Sequence, residues 1–160
     1  SERTCQLVTQ VAGRSGRGPR GGRVVVQTST PEHPAIRAAA AHDYEAFVRS
    51  ELPIRKALLY PPFGSVIRIV VRRAVDEAAA NWAKHLVERL SKSSQGDESI
   101  RILGPAPAPI SRIRDRYRWH LQIHGPSSEL LRDLVNQSMA GLKTPEEVVW
   151  VVDVDPVEML

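Results

Sequence analysis

Two groups of arginines in this chain have the type and spacing to bind phosphate. The first lies near the amino end, in Gln10-Val11-Ala12-Gly13-Arg14-Ser15-Gly16-Arg17-Gly18. Two guanidiniums three residues apart, separated by small residues, can grip one phosphate group. Each is permanently charged and presents a planar fork that matches phosphate oxygens. The glycines, Gly13 among them, let the backbone turn tightly and approach the ligand. No phosphate cradle of the G-x-x-x-x-G-K-[ST] kind occurs in the 160 residues, so the chain carries a phosphate sensor without a phosphate holder. A basic Gly/Arg-rich segment that binds RNA loosely has the same composition, and the motif alone leaves both readings open.

The second group is Arg112, Arg114, Arg116 and Arg118, continued by His120, Gln122 and His124 on alternate positions. Ile113, Tyr117, Trp119, Leu121 and Ile123 fall between them. A strand points alternate residues to opposite faces, which predicts one basic and one apolar face, with a turn near Arg114-Asp115. Clustered guanidiniums repel unless an anion lies across them, and a DNA backbone is such an anion. Arg114 and Arg116, nearest the turn, are the best placed to reach it. A solvated hairpin whose arginines pair with Asp115, Asp153 or Asp155 is the plainer alternative, since surface pairs contribute only about 0–1 kcal/mol each. Trp119 falls in the apolar set and is expected in the core. His120 and His124 share a face but stand about 13 Å apart on a strand, too far for one metal ion. No metal site is expected in this chain.

Hydrophobic periodicity predicts the elements that carry these groups. Residues 3–12 read as a short helix, ended by the glycine run from Gly13. Val24-Val25-Val26 reads as a short buried parallel strand. Thr30 and Pro31 form an N-cap and first helical position for a second helix through Ala41. Asp43 caps a third, to about Leu58, with Tyr44, Phe47, Val48, Leu52, Lys56 and Leu59 forming a mostly apolar, core-facing side and Pro53 kinking or restarting it. Beyond Pro61-Pro62 the pattern is a strand at 64–73, a helix at 75–94, a strand from about Ile100, a second hairpin strand, a helix at 127–141 capped by Ser127 or Ser128, and a strand at 147–154. The prolines at 105, 107 and 109 exclude a central ladder position there. The order β-α-β-β-α-β is the split βαβ, or ferredoxin-like, plan.

Charge is unevenly spread although the sequence pI is about 9.6. Residues 1–60 hold 9 Lys and Arg against 5 Asp and Glu, whereas residues 61–160 hold 13 of each. A nucleic-acid surface in the second part must therefore be a local patch. Cys5 is the only cysteine, so no internal disulfide can form, which fits a reducing cytoplasm. No run of about 18 apolar residues suggests a membrane span, and no membrane contact is expected. A chain opening on Ser1 fits a piece of a longer polypeptide.

Gln10 to Arg17 resembles the last conserved motif of nucleic-acid helicases, Q-x-x-G-R-x-G-R. Followed in order by Tyr60-Pro61-Pro62-Phe63, Leu103-Gly104-Pro105-Ala106-Pro107-Ala108-Pro109, Tyr117-Arg118-Trp119 and Asp153-Val154-Asp155-Pro156, it is similar to the C-terminal part of the PriA (primosomal protein N′) family of replication-restart DNA helicases. The likeness runs from Cys5 to Met159. It implies an α+β fragment. Residues 1–30 would be the tail of the second RecA-like motor lobe, 31–60 linking helices, and 61–160 a ferredoxin-like DNA-binding domain. It implies an ATP-dependent 3′-to-5′ helicase in the full-length protein, acting on stalled forks and starting primosome assembly, with this fragment not itself catalytic. Arg14 and Arg17 would meet the γ-phosphate as catalytic fingers, with Gln10 and Gly13 shaping the ATP-binding loop. ATP and Mg²⁺ would be held mainly by the absent motor lobe, and zinc only by an absent cysteine-rich insertion. Expected partners are branched or forked DNA, single-stranded DNA-binding protein docking at Arg132, and other primosome proteins. A free-standing, ribosomal-protein-like RNA-binding module with a basic arm is the competing reading.

Overall fold

The computed structural model describes residues 2–15 and 22–156. The chain divides into two compact units, Ser1–Ile54 and Arg55–Leu160.

The first unit is helical: α1 (Glu2–Arg14), α2 (Pro34–Ala40) and most of α3 (Tyr44–Leu58). Its core is small, with Cys5, Ala35, Ala38, Ala39 and Phe47 buried and Val8 and Val48 packed against them. The second helix starts later than Thr30-Pro31 predicts. His33 is its N-cap, its Nδ1 accepting from the Ala35 N–H at 3.2 Å, and Pro34 takes the first position. Two proline-led starts compete there, and only the second has a side-chain acceptor on the helix's free N–H groups. Asp43 caps α3 as expected, its Oδ1 accepting from the Ala46 N–H at 2.8 Å. Pro53 lies inside α3 without ending it; it withholds one N–H from the helical ladder, and the flanking turns hold.

Two expectations fail in this unit. Val24-Val25-Val26 forms no strand, and Val25 is 80% exposed. A strand needs ladder partners, and the four described strands all lie in the second unit and pair among themselves. The apolar side of α3 is also not a buried face: Phe47 is buried, but Tyr44 and Leu52 are exposed. The short Cys5 and alanine side chains beneath it cover little more than one residue.

The second unit is α+β. After α3 come β1 (Ser65–Arg73), α4 (Asp76–Ser93), β2 (Arg101–Ile113), β3 (Arg116–Gly125), α5 (Ser128–Met139) and β4 (Val149–Val154). The strands form one antiparallel sheet in the order β2-β3-β1-β4. The proline-rich strand β2 is an edge, where missing N–H groups cost no ladder bond. Alternation decides what the sheet buries. Ile67, Ile69 and Val71 of β1 and Leu121 and Ile123 of β3 face Ala79, Ala83, Leu86 and Leu90 of α4 and Leu131, Leu134 and Val135 of α5. The even-numbered residues of β1 and β3 face away from the helices.

Local chemistry locks this layer. Ser127 caps α5, its Oγ accepting from the Leu130 N–H. Asp155, at φ 47°, accepts the Val66 N–H on its Oδ1 at 2.8 Å and gives its own N–H to the Val66 carbonyl. It therefore ties down the end of β4 and pairs with no arginine among the described residues. Gly104, at φ 100°, permits a close crossing, because a Cβ there would sit 2.9 Å from the His120 carbonyl oxygen. Arg89 of α4 closes the far end of α5. Its Nε donates to the Ser138 carbonyl at 2.6 Å and an Nη to the Ala140 carbonyl at 3.0 Å, placing a cation at a helix C-terminus. Arg89→Ala removes both bonds and is expected to cost about 1–3 kcal/mol, with Arg89→Lys losing less. Urea denaturation checks this; a midpoint equal to the parent's would show that the α5 terminus needs no clamp.

Candidate nucleic-acid interface

The hairpin between β2 and β3 turns on Arg114 and Asp115 alone, at φ 50° and 59°. Two residues of positive φ make the turn whose twist suits an antiparallel hairpin. In the register, Arg112 pairs with Tyr117 and Ile113 with Arg116. Paired residues point to one face, so the turn inverts the parity that simple alternation carries through it. The expected single stripe therefore breaks. Arg116, Arg118, His120, Gln122 and His124 share the face turned away from α4 and α5. Arg112 joins Tyr117 on the opposite face, its guanidinium carbon 5.1 Å from that ring's centre and an Nη 3.0 Å from Asp115 Oδ1. Arg114 sits in the turn itself. Trp119 is partly buried against the helix-side core, as its position predicts, and its Nε1 donates to Asp76 Oδ1 at 2.8 Å.

The structure adds two cations that the stripe did not contain. Arg72 of β1 lies directly opposite Arg118, and Arg68 opposite Gln122. The signal was present: Arg68 and Arg72 are four apart in a strand whose intervening odd positions are Ile69 and Val71. Strand β2 bends over this row. Pro107 faces Trp119 and Arg112 faces Tyr117, leaving residues 108–111 opposite Arg118 alone. The bulge brings the Ile110 carbonyl within 3.1 Å of an Arg118 Nη, which donates to it. Arg118 is only 6% exposed. Burial, then Arg72, then Arg68, pushes its pKa below the ordinary value. Burial is also the first cause of a lowered His120 pKa, followed by Arg68 and Arg118. The side chains of Arg72, Arg114 and Arg116 make no hydrogen bond or ion pair with described residues.

His124 anchors the lower end of the row. It is buried, with Nδ1 3.2 Å from the Leu58 carbonyl oxygen, Nε2 3.1 Å from Gln122 Oε1, and the Tyr60 ring edge-on at 4.9 Å. Burial lowers its pKa, the bond to Leu58 raises it, and Arg101 lowers it.

The other sequence candidates lie elsewhere. Gln10 and Arg14 are exposed and stand one turn apart on α1, which runs through Gly13. Gln10 lines a cavity of about 310 Å³ with Cys5, Thr9, Ala38, His42 and Tyr44. Arg17 lies outside the described residues. Arg132, on α5, is exposed, and one Nη donates to Ser128 Oγ at 3.3 Å. Among the described residues no three His, Cys, Asp or Glu side chains gather to hold a metal ion, and no helix is long and apolar enough to cross a membrane.

The fold and this face define an α+β domain that backs a two-helix core with a row of cations suited to anions. Residues 56–157 match the family model for the primosomal protein N C-terminal domain, and the chain belongs to that family. It is 38% identical to the replication restart protein PriA of Synechocystis sp. over 99% of its length. It is 34% identical to those of Bacillus subtilis, over 100%, and Haemophilus influenzae, over 99%. It spans about a fifth of the length of these relatives: 19%, 20% and 22%.

The buried His124 and the half-buried His120 set a pH dependence. Both have folded-state pKa values lowered from the unfolded value of about 6.5. The stability they contribute is present above that value and is lost as pH falls through it. The urea midpoint should drop between about pH 7 and pH 5, and the drop should be shallower in His120→Gln/His124→Gln. An equal slope in parent and variant would place the acid sensitivity elsewhere.

Proposed function

We propose that this chain is the C-terminal segment of an ATP-dependent 3′-to-5′ DNA helicase that recognises stalled replication forks and starts primosome assembly for replication restart. Residues 61–160 form its DNA-contacting domain, of ferredoxin-like plan; the order β-α-β-β-α-β and the sheet order β2-β3-β1-β4 support that plan. Residues 1–30 close the second RecA-like motor lobe, and residues 31–60 link the two.

The observation that carries the reading is a set of cations paired with no described side chain, Arg114 and Arg116 at an exposed hairpin tip with Arg72 nearby, in a chain whose relatives are named for replication restart. A guanidinium with no internal partner is free to exchange counterions for backbone phosphates. Arg112 is a weaker contact, being committed to Asp115 and Tyr117. At the amino end, Arg14 and Arg17 meet the γ-phosphate of ATP with Gln10 and Gly13 shaping the approach, while the rest of the protein holds ATP and Mg²⁺. Zinc belongs to the part of the protein outside this chain. Arg132 is the proposed contact for single-stranded DNA-binding protein, and the working compartment is the cytoplasm.

Two measurements test this. Arg114→Ala/Arg116→Ala should weaken binding to forked DNA and reduce the slope of log affinity against log salt by about 2. An unchanged slope, or preference for single-stranded RNA over the fork, would favour a free-standing RNA-binding module instead. In the full-length protein, Arg17→Ala should lower ATP turnover by roughly three orders of magnitude and leave fork binding intact; undiminished turnover would remove Arg17 from the γ-phosphate.

A further inference from the structure

We propose that Arg72, Arg118 and His120 form a second phosphodiester-binding subsite, on the sheet face turned away from α4 and α5 and separate from the hairpin tip. The proposal rests on the reading that this domain contacts DNA, and it assigns a place and a chemistry that the tip arginines do not supply.

Register is the first argument. Arg72 and Arg118 are direct cross-strand partners, and side chains so paired have Cβ atoms only about 4.5–5.5 Å apart. Like charges in that position destabilise a sheet. His120 follows Arg118 by two residues, on the same face. The second argument is what these groups lack. Arg118 is more than nine-tenths buried, and its Nε has no hydrogen-bond partner. The Ile110 carbonyl satisfies one Nη but is neutral and cannot cancel the charge. The Arg72 side chain is exposed and makes neither hydrogen bond nor ion pair with described residues. The Nδ1 of His120 is buried without a partner. Three nitrogen-bearing side chains therefore converge with unspent donor capacity.

No ion pair joins Arg72 or Arg118 to a carboxylate among the described residues. Facing His120 from β1 are Arg68 and Arg72, flanking Val70, its register partner. From β3 they are Arg116, Arg118 and Gln122. The residue paired with His120 on β2 is Ala106. The carboxylate on this face of β4 is Asp153, whose register partner is Arg68. A phosphate bridging Arg72 and Arg118 supplies the missing charge, because a guanidinium fork accepts two phosphate oxygens at once. It also reverses the field on His120. Burial, then Arg68 and Arg118, lowers the pKa of that imidazole in the free protein; an anion beside it favours the protonated ring, with both nitrogens donating. Binding at this subsite therefore takes up a proton.

Fluorescence anisotropy with a labelled forked oligonucleotide tests the subsite. The Arg72→Ala side chain leaves an exposed position with no internal partner, so the variant should fold as the parent does and bind roughly tenfold more weakly. Parent affinity should rise on going from about pH 8 to about pH 6, and His120→Gln should lose most of that rise while keeping a native circular-dichroism spectrum. Parent-like binding by Arg72→Ala, or a full pH response in His120→Gln, would overturn the subsite. Arg114→Ala/Arg116→Ala separates the two levels. If that variant binds weakly and Arg72→Ala does not, the subsite alone fails; if both bind like the parent, the DNA reading fails with it.

Discussion

The two-residue turn at Arg114-Asp115 decides what the rest of the basic face can be. A longer or shorter connection would change the pairing of β2 with β3 and move each side chain of one strand to the opposite face. Holding two non-glycine residues at positive φ costs on the order of 1 kcal/mol each. Asparagine and glycine would occupy those positions with less strain. The strands on either side fix the register, and Asp115 recovers part of the cost through its bond to Arg112. The geometry sends Arg112 to the ring of Tyr117, leaves Arg114 at the tip and aligns Arg116 and Arg118 with Arg72. An observed backbone outlier carrying a charged side chain is the kind of local conflict found where function constrains a sequence.

The two faces of the sheet divide the energetic work. The odd positions of β1 and β3 bury Ile67, Ile69, Val71, Leu121 and Ile123 against α4 and α5. At about 2–5 kcal/mol for truncating a buried aliphatic side chain to alanine, this layer holds the domain together. The even positions then tolerate an unfavourable arrangement of like charges. Like-charged partners across a pair lose only fractions of a kcal/mol to about 1 kcal/mol, small beside one core residue. The same reasoning explains why burial can lower the pKa of His120 and His124: the packed face fixes the strands, and the other face has little freedom to solvate an imidazolium.

Much of the second unit was legible in the sequence because its signals are local. The β-branched run at 66–71 marks β1, the three- and four-residue spacing of Ala79, Ala83, Leu86 and Leu90 marks α4, Ser127 marks the start of α5, and the alternating prolines place β2 at an edge. Register across a turn is not local. Alternation read straight through Arg114-Asp115 puts Arg112 on the wrong face, because nothing in the residue types states how many residues the turn consumes. Arg72 escaped notice for a related reason: its partnership with Arg118 exists only once β1 and β3 are paired. The amino-terminal unit was less legible. Val24-Val25-Val26 has strand composition, but composition cannot supply a ladder, and His33 is a rarer cap than the Thr30 that precedes it.

The contrast between the units bears on where function resides. The first buries five small or single residues, Cys5, Ala35, Ala38, Ala39 and Phe47, and leaves Leu7, Val11 and Val25 exposed. Arg14, the proposed γ-phosphate contact, stands on an exposed helix end whose orientation the unit's own packing constrains little. The second unit encloses its core and sets its cations on a paired sheet, where side-chain direction follows from backbone register. Preorganised groups bind without further loss of conformational freedom. A phosphate contact built on β1 and β3 therefore needs nothing beyond this chain, whereas a γ-phosphate contact from α1 requires a surface that holds the nucleotide and aligns the helix end against it. The proposed sheet-face site for that reason has its cations already positioned by backbone register.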